Sequence, residues 1–175
     1  MLASLTERPV AARALAALLF ALVAAAFALP VVVVTVDERR AEASGLELAS
    51  GDAEITGRYV HAAYEGEAEE VMDEARGPAL AVLVSALAAF ALVWLPGRAG
   101  LAFAAALALV ALLGLFGVFQ TTTSSLDLAD ADLRLGYPLA LLGAVCALGW
   151  CWAAASRALF WWRSKPPPGR DYFPP

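Results

Sequence analysis

The chain is poor in the polar residues that soluble proteins use on their surfaces and in active sites. It contains no asparagine, one glutamine (Gln120), one lysine (Lys165) and one histidine (His61) among 175 residues. It also lacks a His-Glu-x-x-His zinc motif, a glycine-rich phosphate loop and a serine elbow. The sequence therefore predicts no catalytic residue, no metal ligand, no cofactor and no nucleic-acid partner.

Cysteine and buried charge are scarce as well. Cys146 and Cys151 lie five residues apart inside one apolar segment, which argues against a disulfide and against a paired-thiol oxidoreductase. No carboxylate lies in the middle of an apolar segment, although a proton-driven pump needs one to bind and release its proton. An autonomous pump is therefore excluded from the expected functions.

Apolar residues dominate what remains. Hydrophobic residues make up 61% of the chain, and the excess of alanine and arginine is typical of a GC-rich bacterial genome. Four segments approach the roughly 20 apolar residues that a helix needs to cross a bilayer. The predicted spans are residues 10–29, 78–96, 99–120 and 137–157. The predicted fold is an all-α membrane protein, a four-helix transmembrane bundle with a small β-rich extracytoplasmic module between helices 1 and 2.

Two alternatives concern the first span. Arg8 and Arg13 precede an apolar region that ends in small residues, as in a cleaved signal peptide, although the apolar run is long for one. The β-branched run Val31–Val36 favours a strand leaving the membrane over a longer, tilted first helix.

The charge distribution predicts the orientation. With residues 1–9, 97–98 and 158–175 inside, and Arg13 and Arg157 at the inner ends of their spans, the cytoplasmic side carries seven of the twelve basic residues. The outer side carries fifteen of the seventeen acidic residues. The short inner turn and the basic, proline-rich tail agree with the positive-inside rule. We therefore expect a multi-pass protein of the cell inner (plasma) membrane with both termini in the cytoplasm.

The outer loop 30–77 is too long for a simple turn, and the second outer loop is predicted at 121–136. Leu46–Ala49 and Ile55–Val60 flank polar turn residues, which predicts a β-hairpin that joins Val31–Val36 in a three-stranded sheet. An acidic helix is predicted from Ala62 to Arg76, with a break at Gly77–Pro78 before the second span.

Candidate interaction residues in this loop are Tyr59, Glu67, Glu70 and Glu74. Clustered carboxylates concentrate positive charge and could attract a cation or a basic partner. A solvated helix face is the simpler interpretation, and we favour it because the spacing matches no calcium loop.

Small residues four apart predict where the helices pack, because membrane helices associate through close backbone approach. Such a stripe runs along the fourth span. It comprises Gly143, Ala147, Cys151 and Ala155. Similar stripes occur at Ala81, Ser85 and Ala89 in the second span and at Ala17, Ala21 and Ala25 in the first. Chance recurrence in an alanine-rich chain is the alternative.

Two short sequence motifs resemble those of a known group of membrane proteins. Ser44-Gly45-Leu46-Glu47-Leu48 in the first outer loop and Gly136-Tyr137-Pro138-Leu139-Ala140-Leu141-Leu142-Gly143-Ala144 at the start of the last span resemble the uncharacterised bacterial four-transmembrane-span proteins with an SGxxL loop. The layout is distantly similar to that of claudin-like proteins, but the tryptophan and paired-cysteine signature of the claudin first loop is missing. The resemblance implies an architecture and no particular activity.

The expected function is that of a non-catalytic interaction or accessory protein that uses its outer loop, with the bilayer and a membrane-protein partner or a second copy as its contacts. The alternative is a subunit of a transporter or channel. An enzyme acting on lipid ranks third, with Arg13, Arg98 and Arg157 as candidate headgroup ligands.

Overall fold

The protein is a bundle of four long helices with a small sheet at one end. The computed structural model describes residues 9–36, 39–51, 62–96, 99–124 and 130–163. In chain order the elements are α1 (Pro9–Phe27), β1 (Pro30–Val36), β2 (Arg39–Ser44), α2 (Gly45–Ser50), α3 (Ala62–Leu92), α4 (Ala99–Ser124), β3 (Asp130–Leu133) and α5 (Gly136–Arg163).

Four helices are long and apolar enough to cross a membrane. Their spans are Val10–Phe27 in α1, Asp73–Leu92 in α3, Ala99–Thr123 in α4 and Gly136–Ser156 in α5. The chain is therefore a multi-pass membrane protein, and the predicted four-helix fold is confirmed. Around the bundle, α1 packs against α3 and α5, and α4 packs against the same two helices.

The bundle interior contains many small side chains, and many large apolar side chains of the same helices point outward. Fully buried alanines come from every long helix: Ala16, Ala79, Ala89, Ala104, Ala108, Ala140 and Ala147. Large exposed side chains occur on the same helices: Leu18, Leu87, Phe90, Phe103, Leu113, Phe116 and Leu142. Small interior residues bring helix backbones close together, and lipid solvates the outward Leu and Phe side chains.

The sheet has strand order β2-β1-β3, and both of its strand pairs are antiparallel. Strands β1 and β2 come from the first loop, and β3 comes from the second. Val33 of β1 pairs with Glu42 on one side and Asp132 on the other. The strand predicted at Val31–Val36 is confirmed, and the longer first helix is wrong. The two loops at this end of the bundle therefore contribute strands to one sheet.

The predicted hairpin is wrong in its first half. Leu46–Ala49 belongs to helix α2, because Ser44 and Glu47 form a capping box and Gly51 ends the helix with a φ of 80°. The second predicted strand, Ile55–Val60, lies outside the described residues. Strands β2 and β3 take the places in the sheet that the hairpin was predicted to fill.

The predicted helix break at Gly77–Pro78 is also wrong. Helix α3 runs without interruption from Ala62 to Leu92, with Pro78 inside it. Proline provides no N–H for the carbonyl of Glu74, but Glu74 is exposed near the start of the span, where water can solvate that carbonyl. The proline ring packs tightly against α4, since a Cβ atom built on Gly117 would lie 3.0 Å from the Pro78 Cβ atom.

Helices α4 and α5 extend beyond the limits predicted for the third and fourth spans. Helix α4 continues to Ser124, and α5 begins at Gly136 and continues to Arg163. The small-residue stripe predicted on the first span is wrong for two of its members, because Ala17 is buried but Ala21 and Ala25 are exposed. The buried face of α1 carries other residues instead: Ala12, Ala16, Phe20, Val23 and Phe27.

Candidate functional site

The sheet and helix α2 form a unit that we call the cap module (residues 30–36, 39–51 and 130–133). Val31, Val32 and Val33 are buried, and Leu48 of α2 is 1% exposed. The side chains of Val31, Val32 and Leu48 share one apolar cluster with Ala79 and other residues of the long helices. The cap module therefore has no separate core and packs on the end of the bundle through this cluster.

Local hydrogen bonds stabilise both ends of helix α2. The Glu47 N–H donates to Ser44 Oγ at 3.2 Å, and the Ser44 N–H donates to Glu47 Oε2 at 2.7 Å. Hydrogen bonds from the backbone and then the side chain of Ser44 lower the pKa of Glu47 below its ordinary value. Gly45 lies directly under the ring of Phe27, which joins α2 to the end of α1.

The start of α5 packs closely against the end of α1. A Cβ atom on Gly136 would lie 2.7 Å from the Pro30 carbonyl oxygen, 2.8 Å from that of Ala26 and 2.9 Å from that of Leu29. This close contact brings the positive end of one helix dipole to the negative end of another. Only glycine fits here, so the cap module and two spans meet at this residue.

Arg134 places a cation at the same junction. Its backbone N–H donates to the Val31 carbonyl at 2.9 Å, and its own carbonyl accepts from the Tyr137 N–H at 2.9 Å. The guanidinium Nε and Nη2 atoms are buried, with no hydrogen-bond partner among the residues that the structure describes. Sequence reasoning missed this residue. The available signal was the single basic side chain just before the fourth span.

Three of the four candidate interaction residues lie along helix α3, and the fourth lies outside the described residues. Glu67 and Glu70 belong to the part of α3 that precedes its span, and Glu74 is exposed near the start of that span. Tyr59 lies outside the described residues. Across the described ranges, no three His, Cys, Asp or Glu side chains are grouped so that they could hold a metal ion.

The predicted packing stripe on α5 faces the bundle over three of its four positions. Gly143, Ala147 and Cys151 are buried, and Ala155 is half-buried. A Cβ atom on Gly143 would lie 2.9 Å from Val23 Cγ2, so α5 meets α1 here at close range. In the described part of the interior, the buried polar side chains are Ser85 and Thr122, and both hydroxyls donate to carbonyls of their own helices.

A shallow groove runs between α2 and α3 at the junction of the cap module and the bundle. It has a volume of about 400 Å³. Its lining is mostly apolar: Leu46, Glu47, Ala49, Ser50, Leu80 and Leu83. The Arg76 side chain crosses Gly51 beside this groove, with its Cζ atom 2.8 Å from where a Gly51 Cβ would lie. The site thus combines an apolar floor with a cation at one edge.

Comparison of the chain with protein-family models, with curated proteins and with solved structures finds no match. The function is therefore inferred from the residues of the chain itself.

Proposed function

We propose that the protein is a non-catalytic interaction or accessory protein of the bacterial inner membrane, with the cap module on the extracytoplasmic side and both termini in the cytoplasm. The observation that carries this proposal is the joining of two separate loops into one sheet that shares the apolar core of the bundle. A surface fixed in this way loses little conformational entropy when it binds a partner.

The charge of the cap side indicates the kind of partner. Glu42 on β2 and Asp73 and Glu74 on α3 are exposed, and fifteen of the chain's seventeen acidic residues belong to the two loops that are predicted to lie outside. A negative surface favours and steers a basic partner. We infer a membrane-protein partner with a basic extracytoplasmic surface.

The packed interior favours this function over the alternative. Every long helix contributes fully buried alanines to the centre of the bundle, so one copy encloses a dense apolar interior. A transporter or channel built from this chain would need several copies or a larger partner to form the pathway. The accessory function needs only the surface of one copy.

The experiment is a crosslinking pull-down of the full-length protein from native membranes. We expect Glu42→Lys combined with Glu74→Lys to lose a partner that the wild type captures, because both positions are exposed and the substitutions reverse the local charge. Ser156→Lys is the matched control, since it adds positive charge at an exposed position on the other end of the bundle. We expect it to capture the partner at the wild-type level.

Two results would contradict the proposal. Equal capture by the double variant and the control would mean that the cap surface does not bind the partner. Ion flux through liposomes that contain only the purified protein would favour the transporter or channel alternative. Circular dichroism of each variant establishes that the helices have formed before either result is interpreted.

A further inference from the structure

The groove between α2 and α3 lies where the membrane interface must be. Arg76 and Leu80 are one helical turn apart near the start of the α3 span, and Leu80 is 47% exposed. In a helix that crosses a bilayer, an exposed leucine at this depth contacts acyl chains. The groove therefore opens to lipid along the bundle and reaches the headgroup region at the cap module.

Short helix α2 gives the groove its second wall. Leu48 and Ala49 anchor α2 on the bundle, which leaves Leu46 42% exposed on the groove side. A chain that enters between Leu46 and Leu80 is contacted from two directions, and apolar contact area increases accordingly.

Charge at the groove indicates the headgroup. Glu47 lines the groove, but its Oε2 atom already accepts the Ser44 N–H. The Arg76 guanidinium lies over Gly51, at the water side of Leu80. A guanidinium is matched in shape and charge to a phosphate, to which it can donate two parallel hydrogen bonds.

We propose that this groove binds one phospholipid, with an acyl chain between Leu46 and Leu80 and the phosphate on Arg76. The lipid joins α2 to α3 and so becomes part of the interface between the cap module and the bundle. This site is independent of the partner-binding surface proposed above, because it faces the bilayer.

Native mass spectrometry of the full-length protein in detergent tests the site directly. The probes are phosphatidylglycerol, phosphatidylcholine and a diacylglycerol with the same acyl chains. We expect one tightly bound copy of either phospholipid and weaker binding of the diacylglycerol, which has no phosphate. Arg76→Gln should weaken phospholipid binding about fivefold, the effect of one interfacial basic residue, and Arg76→Lys should retain most of it.

Filling the groove gives a second, independent measurement. Leu80→Trp should displace the acyl chain, whereas Leu142→Trp places the same bulk at an exposed position on α5 and should change nothing. A photoactivatable acyl chain should label Leu46 or Leu80 in the wild type. Equal phospholipid binding by wild type, Arg76→Gln and Leu80→Trp, or binding of the diacylglycerol as tight as that of the phospholipids, would overturn the proposal.

Discussion

At each end of the bundle a glycine packs closely against backbone carbonyl oxygens, but the two sets of carbonyls come from different parts of the chain. At the cap end, Gly136 lies against the carbonyls of Ala26, Leu29 and Pro30, which are more than a hundred residues earlier in the sequence. At the opposite end, Gly100 lies against the carbonyls of Leu92 and Leu95, only a few residues earlier. The glycine contact is therefore tertiary at the cap end and local at the opposite end.

The side chains differ between the ends as well. All five tryptophans belong to the end opposite the cap module, where Trp94 follows α3 and the other four lie in the second half of α5. The cap end carries a sheet, a capped short helix and exposed carboxylates. Tryptophan is favoured at membrane interfaces, so the opposite end has the composition of an interfacial anchor, whereas the cap end presents a polar, negatively charged surface.

The largest expected effect on stability comes from disrupting the contact between Gly136 and the end of α1. Gly136→Ala would bring a Cβ atom within 3 Å of three backbone oxygens that cannot move independently, so we expect a loss of about 2–3 kcal/mol in the free energy of unfolding. Unfolding in mixed detergent micelles measures it. Gly149→Ala, in the same helix with no atom within 4 Å of the new Cβ, is the control and should be neutral or stabilising.

The corresponding change at the other end should be milder. Gly100→Ala places its Cβ atom 2.6 Å from the Leu92 carbonyl oxygen, but that oxygen belongs to a local turn that can adjust. We expect a loss of about 1–2 kcal/mol, measured in the same way. If Gly100→Ala lowers the free energy of unfolding as much as Gly136→Ala does, the local contact is as rigid as the tertiary one and the proposed difference between the two ends is wrong.

Helix α2 should make a smaller, pH-dependent contribution. Ser44→Ala removes the cap and should destabilise the protein by about 1 kcal/mol at neutral pH. Because the pKa of Glu47 is lowered in the folded state, its stabilisation is complete above the ordinary value of 4.5 and is lost as the pH falls through the lower folded value.

Acid titration of stability provides the measurement for Glu47. Glu47→Gln retains an oxygen that can accept the Ser44 N–H, so it should keep most of the cap but lose this pH dependence. An unchanged acid profile in Glu47→Gln would show that other carboxylates account for it.

The smallest effect is expected at the tryptophan-rich end. Trp150 Nε1 donates to the Ala12 carbonyl at 2.9 Å and so connects α5 to the start of α1. Trp150→Phe should cost about 0.6 kcal/mol, the average for a hydrogen bond between membrane helices. Trp152→Phe, at a position that is 70% exposed, is the control. A loss above 2 kcal/mol in Trp150→Phe would mean that this end also depends on tertiary contacts.

The candidate site was only partly predictable. The acidic character of the cap side and the strand at Val31–Val36 follow from residue type and local pattern. Arg134 and Arg76 were not predicted as site residues. The burial of the Arg134 guanidinium and the position of the Arg76 side chain over Gly51, beside the groove, both depend on the tertiary structure. The capping box at Ser44 and Glu47 was a helix signal in the sequence, and the alternating Leu46 and Leu48 were instead interpreted as a strand.

The four spans can be predicted from residue type alone, since the length and hydropathy of a membrane helix are local properties. Three other features depend on packing between segments: the buried face of α1, the position of Pro78 inside a continuous helix, and the place of β3 in the sheet. Each of these depends on which distant surfaces meet: Val23 with Gly143, Pro78 with Gly117, and β1 with a strand about a hundred residues later. A sequence pattern specifies what a segment can form, and close packing between segments selects among those possibilities.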